Sequence, residues 1–143
     1  MKNVLWVLLF LNMLCSCAVG IHRAVKYQDL EKVKIYVADG KVNQRESSLD
    51  QTPLLSAAYY GYADVVEYLC DNGADLDAQA ADGSTALIYS ARYRFEDVTR
   101  VLLQHGASVN LTDKQGHSAL YYAKFNRYYR IAKLLEANGA SFQ

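Results

Sequence analysis

The sequence predicts an all-α solenoid of about four helix–turn–helix repeats with hairpin-like loops between them. The segments 72–77, 105–110 and 138–143 align with one another, which gives a period of 33 residues. Periods of about 20–50 residues are typical of stacked units that bury their apolar faces against their neighbours. Hydrophobic residues make up 52% of the chain and there is a single proline, Pro53, so a core is available and a turn-rich β-sandwich is disfavoured.

Each repeat is predicted to contain two short helices. Thr52 before Pro53 is typical of a helix start, because the hydroxyl can cap the first N–H groups and proline lacks an N–H that would need a partner. Apolar residues at 65, 66 and 69, and again at 98, 101 and 102, share one face of a helix. First helices are expected near 21–27, 53–60, 86–93 and 119–126. Second helices are expected near 30–38, 64–71, 97–104 and 130–137, with loops at 42–51, 76–84 and 109–117.

The repeated segments resemble the signatures of the ankyrin-repeat family. Residues 52–58 (TPLLSAA) resemble T-P-L-H-x-A-A, and residues 65–69 (VVEYL) and 73–77 (GADLD) resemble V-V-x-x-L and G-A-D-V-N. The resemblance covers 21–143 and implies a non-catalytic protein-binding domain. Its repeats are expected at 21–51, 52–84, 85–117 and 118–143.

Two family positions differ in this chain. The glycine between paired helices is present as Gly61 but is replaced by Arg94 and Arg127. A left-handed bend costs arginine more than glycine, so these two turns are expected to differ in shape. The family histidine survives only as His22, which removes a usual hydrogen bond to the loops elsewhere.

The resemblance implies a binding surface on the concave face, which is formed by the loop tips and the exposed side of the first helices. Tyrosine and arginine are enriched at binding hot spots, and the chain has 12 tyrosines. The loop-tip candidates are Ser48, Leu49, Gln51, Ala81, Asp82, Ser84, Lys114, Gln115 and His117. The first-helix candidates are Ser56, Tyr59, Tyr60, Tyr89, Arg92, Tyr93, Tyr122, Phe125 and Asn126. Tyr121 and Tyr128 are interpreted as packing residues.

Residues 1–20 are interpreted as an export signal. Lys2 precedes an apolar run at 4–14 that is interrupted only by an asparagine. This run is too short to span a bilayer, which takes about 20 residues. Cleavage is expected after Ala18 or after Gly20. The alternative interpretation is that residues 1–20 form an uncleaved buried helix.

A lipid anchor is an alternative to soluble export. Residues 14–17 (LCSC) resemble a bacterial lipobox, in which Cys17 would be lipidated and become the first residue of the mature chain. Folded structure is expected from Ile21, which would leave almost no tether. Cys70 is the one thiol that remains in the body after either type of cleavage.

No catalytic, cofactor or metal site is predicted. The three histidines are far apart in the sequence, and no metal-binding or phosphate-binding motif is present in the body. His22 and His105 occupy positions where ankyrin repeats commonly carry structural histidines. Cys70 is interpreted as a helix-packing residue, so we expect a protein that is not an enzyme and carries no cofactor.

The net charge of zero hides a block pattern. Residues 46–91 hold eight acidic residues and no lysine or arginine, whereas 92–143 carry a net charge of +4 and 21–45 of +3. A neutral chain is poor evidence for nucleic-acid binding. The pattern favours a polarised protein-binding surface whose association slows with salt.

The sequence therefore predicts an exported monomer in the bacterial periplasm, either soluble or lipid-anchored. It is expected to bind one protein partner, an enzyme of the cell envelope, and to restrain or protect it; a cell-wall hydrolase is one example. Two alternatives remain at this point. One is a secreted effector that binds a host or prey protein, and the other is an accessory protein to a periplasmic oxidative-stress enzyme.

Overall fold

The computed structural model describes residues 20–46 and 50–141, and these residues form eight helices in four antiparallel pairs. The first helices are α1 (Gly20–Lys26), α3 (Pro53–Tyr60), α5 (Ala86–Arg92) and α7 (Ala119–Phe125). The second helices are α2 (Leu30–Ala38), α4 (Ala63–Asp71), α6 (Glu96–Gln104) and α8 (Tyr129–Ala137). First helices pack on first helices and second helices on second helices, so the pairs stack as two layers. The predicted all-α solenoid is confirmed.

Parts of the sequence interpretation lie outside the described residues. These are the export signal with Cys17, and the loop residues Ser48 and Leu49. In the described part of the chain, no helix has the length and apolar character needed to cross a bilayer.

Polar caps start the first helices of the last three repeats. The Thr52 hydroxyl oxygen accepts a hydrogen bond from the Leu55 N–H at 3.3 Å. The hydroxyl oxygens of Thr85 and Ser118 accept equivalent hydrogen bonds from the N–H groups three residues later in the sequence. Each cap satisfies one of the N–H groups that a helix start leaves without a partner. The caps therefore fix where each repeat begins.

The core follows the same 33-residue period. Leu54, Leu87 and Leu120 are each 1% exposed and lie at equivalent positions of successive first helices. Val65, Val98 and Ile131 recur in the same way on the second helices and are 2% exposed or less. No single helix pair could bury these side chains alone, so stacking supplies the core.

A ladder of polar side chains ties each repeat to the next. The Asn43 side chain donates to the Gly73 carbonyl oxygen and accepts from the Asp75 N–H. Asn110 does the same one interface further along, with Gly139 and Ser141. At the interface between them, Asp77 accepts from the N–H and the hydroxyl of Ser108, at 2.9 and 2.5 Å. We call these three contacts the polar ladder.

The turns between paired helices have one shape, which corrects the expectation for Arg94 and Arg127. Gly61 has a φ of 79°, and Arg94 and Arg127 have φ values of 67° and 60°. The physical reason is a shared closing bond, in which the N–H after the turn reaches a carbonyl five residues back, as from Phe95 to Ser90 at 2.8 Å. That bond requires a left-handed residue between the helices, whatever its side chain.

Gly61 has a second constraint that the arginine turns lack. A Cβ at this position would lie 2.6 Å from the Phe95 ring of the next repeat. In the following turn, the equivalent aromatic ring is Tyr128, and the Arg94 guanidinium lies over it at 5.6 Å from the ring centre. Glycine is therefore needed at the second turn and not at the third.

Candidate protein-binding surface

Three exposed tyrosines meet on the layer of first helices, at the ends of α3 and α5. Tyr59, Tyr60 and Tyr93 are 42%, 38% and 41% exposed. The Tyr59 ring packs edge-on against Tyr60 at 5.3 Å and against Tyr93 at 5.2 Å between centroids. Edge-to-face contacts are a favourable arrangement of aromatic rings. We call these three residues the tyrosine patch.

The 33-residue period explains why the patch forms. Tyr60 and Tyr93 occupy equivalent positions of successive repeats, at the last residue of α3 and just after α5. Stacking of the two pairs brings these positions side by side, and Tyr59 fills the space between them. The three hydroxyl-bearing rings therefore form one continuous surface.

Tyr89 supports this surface from below, which corrects its expected role as a contact residue. Its side chain is only 5% exposed, and its ring packs against Tyr59 at 5.6 Å and against Tyr93 at 6.4 Å. Burial, together with the nearby Asp82 carboxylate, raises the pKa of Tyr89 to about 12. Tyr89 is thus a neutral ring under the patch. It points inward from α5, although its position in the helix predicted contact with a partner.

Ser56 and Ser84 are corrected in the same way. Ser56 is 5% exposed and its hydroxyl donates to the Gln51 side-chain oxygen at 3.2 Å. Ser84 has no exposed area, and its hydroxyl donates to Asp82 at 2.9 Å. Small hydroxyl side chains satisfy loop carboxyl and amide groups here, so neither offers contact area to a partner.

A charged network lies beside the patch, between the loop tips at 76–84 and 109–117. The Arg92 guanidinium lies 3.5 Å from Asp82 and 3.3 Å from Asp113. It also donates to the Tyr122 hydroxyl and lies over the Tyr122 ring, 4.2 Å from its centre. Arg92 is held at three points, so its remaining exposed edge has a fixed position.

Asp113 anchors this network and was not among the predicted residues. Its side chain is 2% exposed and accepts from the N–H groups of Gln115 and His117 and from the Tyr122 hydroxyl. Burial alone would raise the pKa of Asp113, but these hydrogen bonds outweigh it and hold the pKa below its usual value. The sequence feature that could have indicated this role is the position of Asp113 four residues before His117. An aspartate that starts a turn accepts hydrogen bonds from the N–H groups of the residues that follow it.

The two loop tips that carry the network touch directly. The Lys114 N–H donates to the Asp82 carbonyl oxygen at 3.0 Å. Gly83 allows this approach, because a Cβ there would lie 2.7 Å from the Lys114 nitrogen. The loops at 76–84 and 109–117 therefore present one joined edge.

The remaining predicted contact residues are distributed along the same face. His117 is half-buried and stacks on Tyr121 with 3.8 Å between ring centroids, and Phe125 is 73% exposed at the end of α7. Gln51 and Asn126 are half-buried, whereas Ala81, Lys114 and Gln115 are exposed. The structure joins the tyrosine patch with Arg92, Asp82 and Tyr122, and places Phe125 further along.

The surroundings of His22 and Cys70 are typical of residues with a structural role. The His22 ring donates to the Gln44 carbonyl oxygen at 2.8 Å and is 5% exposed. Burial raises the pKa of the Cys70 thiol to about 11, so little reactive thiolate forms near neutral pH. Within residues 20–46 and 50–141, no three His, Cys, Asp or Glu side chains are placed to hold a metal ion.

Comparison with known proteins identifies the repeats. A family model described as ankyrin repeats (3 copies) matches residues 21–113 and 72–143. The chain belongs to the ankyrin-repeat family. Ankyrin repeats form protein–protein interaction domains, which agrees with a surface built from aromatic rings and a fixed arginine.

Two curated relatives match part of this ankyrin-repeat chain. Protein phosphatase 1 regulatory subunit 27 of Homo sapiens is 40% identical to it over 64 residues. The Mus musculus protein of the same name matches equally. Each match covers 45% of this chain and 42% of the relative, so the chain spans less than half the length of these relatives.

Proposed function

We propose that this ankyrin-repeat protein is a non-catalytic binding protein that docks one partner enzyme on its concave face and restrains or protects it. The tyrosine patch carries the proposal. Soluble monomers rarely leave large rings clustered in solvent unless the cluster binds something. Tyrosine is also among the residues that dominate binding energy at interfaces.

The network around Arg92 supports a protein partner. A guanidinium fixed by Asp82, Asp113 and Tyr122 loses little freedom when a partner docks. The curated relatives are named as regulatory subunits of an enzyme, which fits a role that acts on an enzyme without chemistry of its own.

We also propose that the mature chain acts outside the cytoplasm, in a bacterial periplasm, either soluble or anchored at Cys17. The support is the basic and apolar pattern of residues 2–18 and the lipobox-like LCSC segment at 14–17. Mass spectrometry of the mature N-terminus tests it: a chain that starts at residue 19 or 21, or at a lipidated Cys17, is expected. A chain that retains residues 1–16 would contradict the proposal, and recovery mainly in the culture medium would favour the secreted-effector alternative.

The binding proposal is tested in two stages. A photo-crosslinking residue is first placed at Phe125, on the concave face but outside the patch, and the captured protein is identified and purified. Its dissociation constant is then measured for wild type and for the variant Tyr59→Ala/Tyr60→Ala/Tyr93→Ala. We expect at least about a hundredfold weakening, since tyrosine hot spots each contribute about 2 kcal/mol or more.

Ile35→Ala is the matched control, because Ile35 is 62% exposed on α2 in the other layer of helices. It is expected to bind as wild type does. Equal affinity of the triple variant and wild type would reject the patch as the binding surface. An unchanged activity of the captured enzyme with saturating ankyrin protein would reject restraint, and unchanged survival of that enzyme under heat or protease would reject protection.

A further inference from the structure

A groove rich in arginine lies between the helix–helix turns of the last two repeats. Its volume is about 370 Å³, and its walls include Arg94 and Glu96 from one repeat and Arg127 and Arg130 from the next. Tyr128 and Tyr129 supply aromatic surface beside them. None of these six residues belongs to the tyrosine patch or to the network around Arg92.

The groove carries a surplus of positive charge. Its one carboxylate among these six residues, Glu96, is already ion-paired with Arg130 at 3.1 Å and with Arg100 at 3.0 Å. Arg94 and Arg127 are both exposed, and Arg94 lies over the Tyr128 ring. Two guanidinium groups therefore face the groove next to an aromatic wall.

The backbone conformation at Arg94 and Arg127 is unfavourable for arginine. Both adopt a left-handed conformation that glycine would adopt without strain, and the closing hydrogen bond of each turn involves no side chain. Strained positions of this kind occur at binding and catalytic sites more than elsewhere. Two of them in adjacent repeats, both charged and both lining one groove, point to a ligand.

We propose that this groove binds an acidic segment of a protein partner, with Arg94 and Arg127 pairing its carboxylates and the two tyrosines packing against it. A guanidinium matches a carboxylate through two parallel hydrogen bonds. A protein segment suits the groove better than a nucleic acid, since the chain has a net charge of zero, which is poor evidence for nucleic-acid binding, and ankyrin repeats form protein–protein interaction domains. The surface is a second contact site, independent of the tyrosine patch.

The test uses the variant Arg94→Gly/Arg127→Gly, which removes both charges and also relieves the backbone strain. Its thermal midpoint is expected to equal or exceed that of wild type, so lost binding cannot be blamed on misfolding. The probe is a hexaglutamate peptide, titrated into isotope-labelled full-length protein at low salt and followed by NMR. In wild type, the amide shifts are expected to concentrate at 94–96 and 127–131.

The double variant is expected to bind the peptide about tenfold more weakly, since each exposed ion pair contributes up to about 1 kcal/mol. The control Lys32→Gln/Lys114→Gln removes the same charge at two sites outside the groove and is expected to bind as wild type does. The triple tyrosine variant is also expected to bind the peptide normally, which separates this site from the proposed concave-face function.

Three results would overturn the assignment. One is a set of peptide-induced shifts spread over the basic residues of the first repeat at 23–34. Another is equal weakening in the double variant and in the lysine control, which would indicate attraction by net charge alone. The third is tighter binding of a single-stranded DNA oligonucleotide than of the peptide at the same amides, which would make a nucleic acid the occupant.

Discussion

The Tyr122 hydroxyl donates a 2.6 Å hydrogen bond to Asp113, which joins the tip of the loop at 109–117 to α7, the helix that follows it. Asp113 is 2% exposed at its side chain and also accepts from two backbone N–H groups of its own loop. One carboxylate thus orders the loop, places Tyr122 and holds Arg92. The stability of this corner of the concave face should depend on that single side chain.

Replacing Asp113 is expected to destabilise the protein strongly. Asp113→Ala removes the acceptor of three partly buried hydrogen bonds, and we expect a loss of about 3 kcal/mol in the free energy of unfolding. Tyr122→Phe removes one of the same hydrogen bonds and should cost about 1–2 kcal/mol. Urea denaturation measures both. Asp82→Ala is the control at a half-exposed carboxylate of the neighbouring loop, and an equal loss there would contradict a special role for Asp113.

Acid is expected to remove the contribution of Asp113. The hydrogen bonds hold the pKa of the folded Asp113 below its ordinary value of 3.8, so the carboxylate stabilises the fold above that value. The contribution disappears as the pH falls through the lower folded pKa. The stability difference between wild type and Asp113→Asn should therefore be constant near neutrality and shrink below about pH 4. A difference that does not change in acid would show that the charge of Asp113 contributes nothing.

The arginine turns are expected to gain stability when they become glycine. Arg94→Gly removes a left-handed arginine and should raise the free energy of unfolding by about 1 kcal/mol. Gly61→Ala should do the reverse, because its φ is 79° and a Cβ would lie 2.6 Å from the Phe95 ring. Thermal denaturation of the two variants compares them directly. A loss of stability in Arg94→Gly would mean that the contact with Tyr128 outweighs the strain.

His105 is expected to titrate above its ordinary pKa of 6.5. One ring nitrogen donates to Asp71 at 3.0 Å and the other to the Val101 carbonyl oxygen at 2.9 Å, so only the protonated ring satisfies both contacts. The bond to Asp71 is the main cause of the raised pKa. NMR titration of Asp71→Asn should return the pKa towards 6.5, whereas Asp64→Asn on the same helix should leave it unchanged.

The same linkage predicts how stability changes with pH. Because the folded pKa of His105 is raised, its contribution is complete below about pH 6.5 and is lost as the pH rises through the folded value. Asp71→Asn should therefore reduce stability more at about pH 5.5 than at about pH 9. An equal reduction at both pH values would locate the role of Asp71 elsewhere.

The repeat pattern predicted the helices well because helix caps and apolar helix faces depend on residues that are close together in the sequence. Thr52, Thr85 and Ser118 recur in phase and each does cap a helix. The turns at Arg94 and Arg127 were predicted wrongly because the closing backbone bond has no sequence signal of its own. The intrinsic preference of single residues for the left-handed region favours glycine over arginine. At positions 94 and 127, stacking of the helix pairs outweighs that preference.

The candidate surface was predicted less completely, because helical register does not determine exposure. Tyr89 lies on α5 and Tyr93 follows one turn later, just after the helix ends, yet Tyr89 is 5% exposed and Tyr93 is 41% exposed. Tyr89 packs against Tyr59 of the preceding repeat, and its hydroxyl donates to Asp82 on the loop before α5 at 3.4 Å. Only the packed structure shows which ring lies over the other.

The polar ladder makes the protein modular. Each of its contacts joins two neighbouring repeats and reaches no further, as in Asn43 with Gly73 and Asn110 with Gly139. A change that breaks one contact should loosen one interface and leave the others intact. The outer repeats can therefore accumulate substitutions while the interface between the second and third repeats, which carries the tyrosine patch, keeps its geometry.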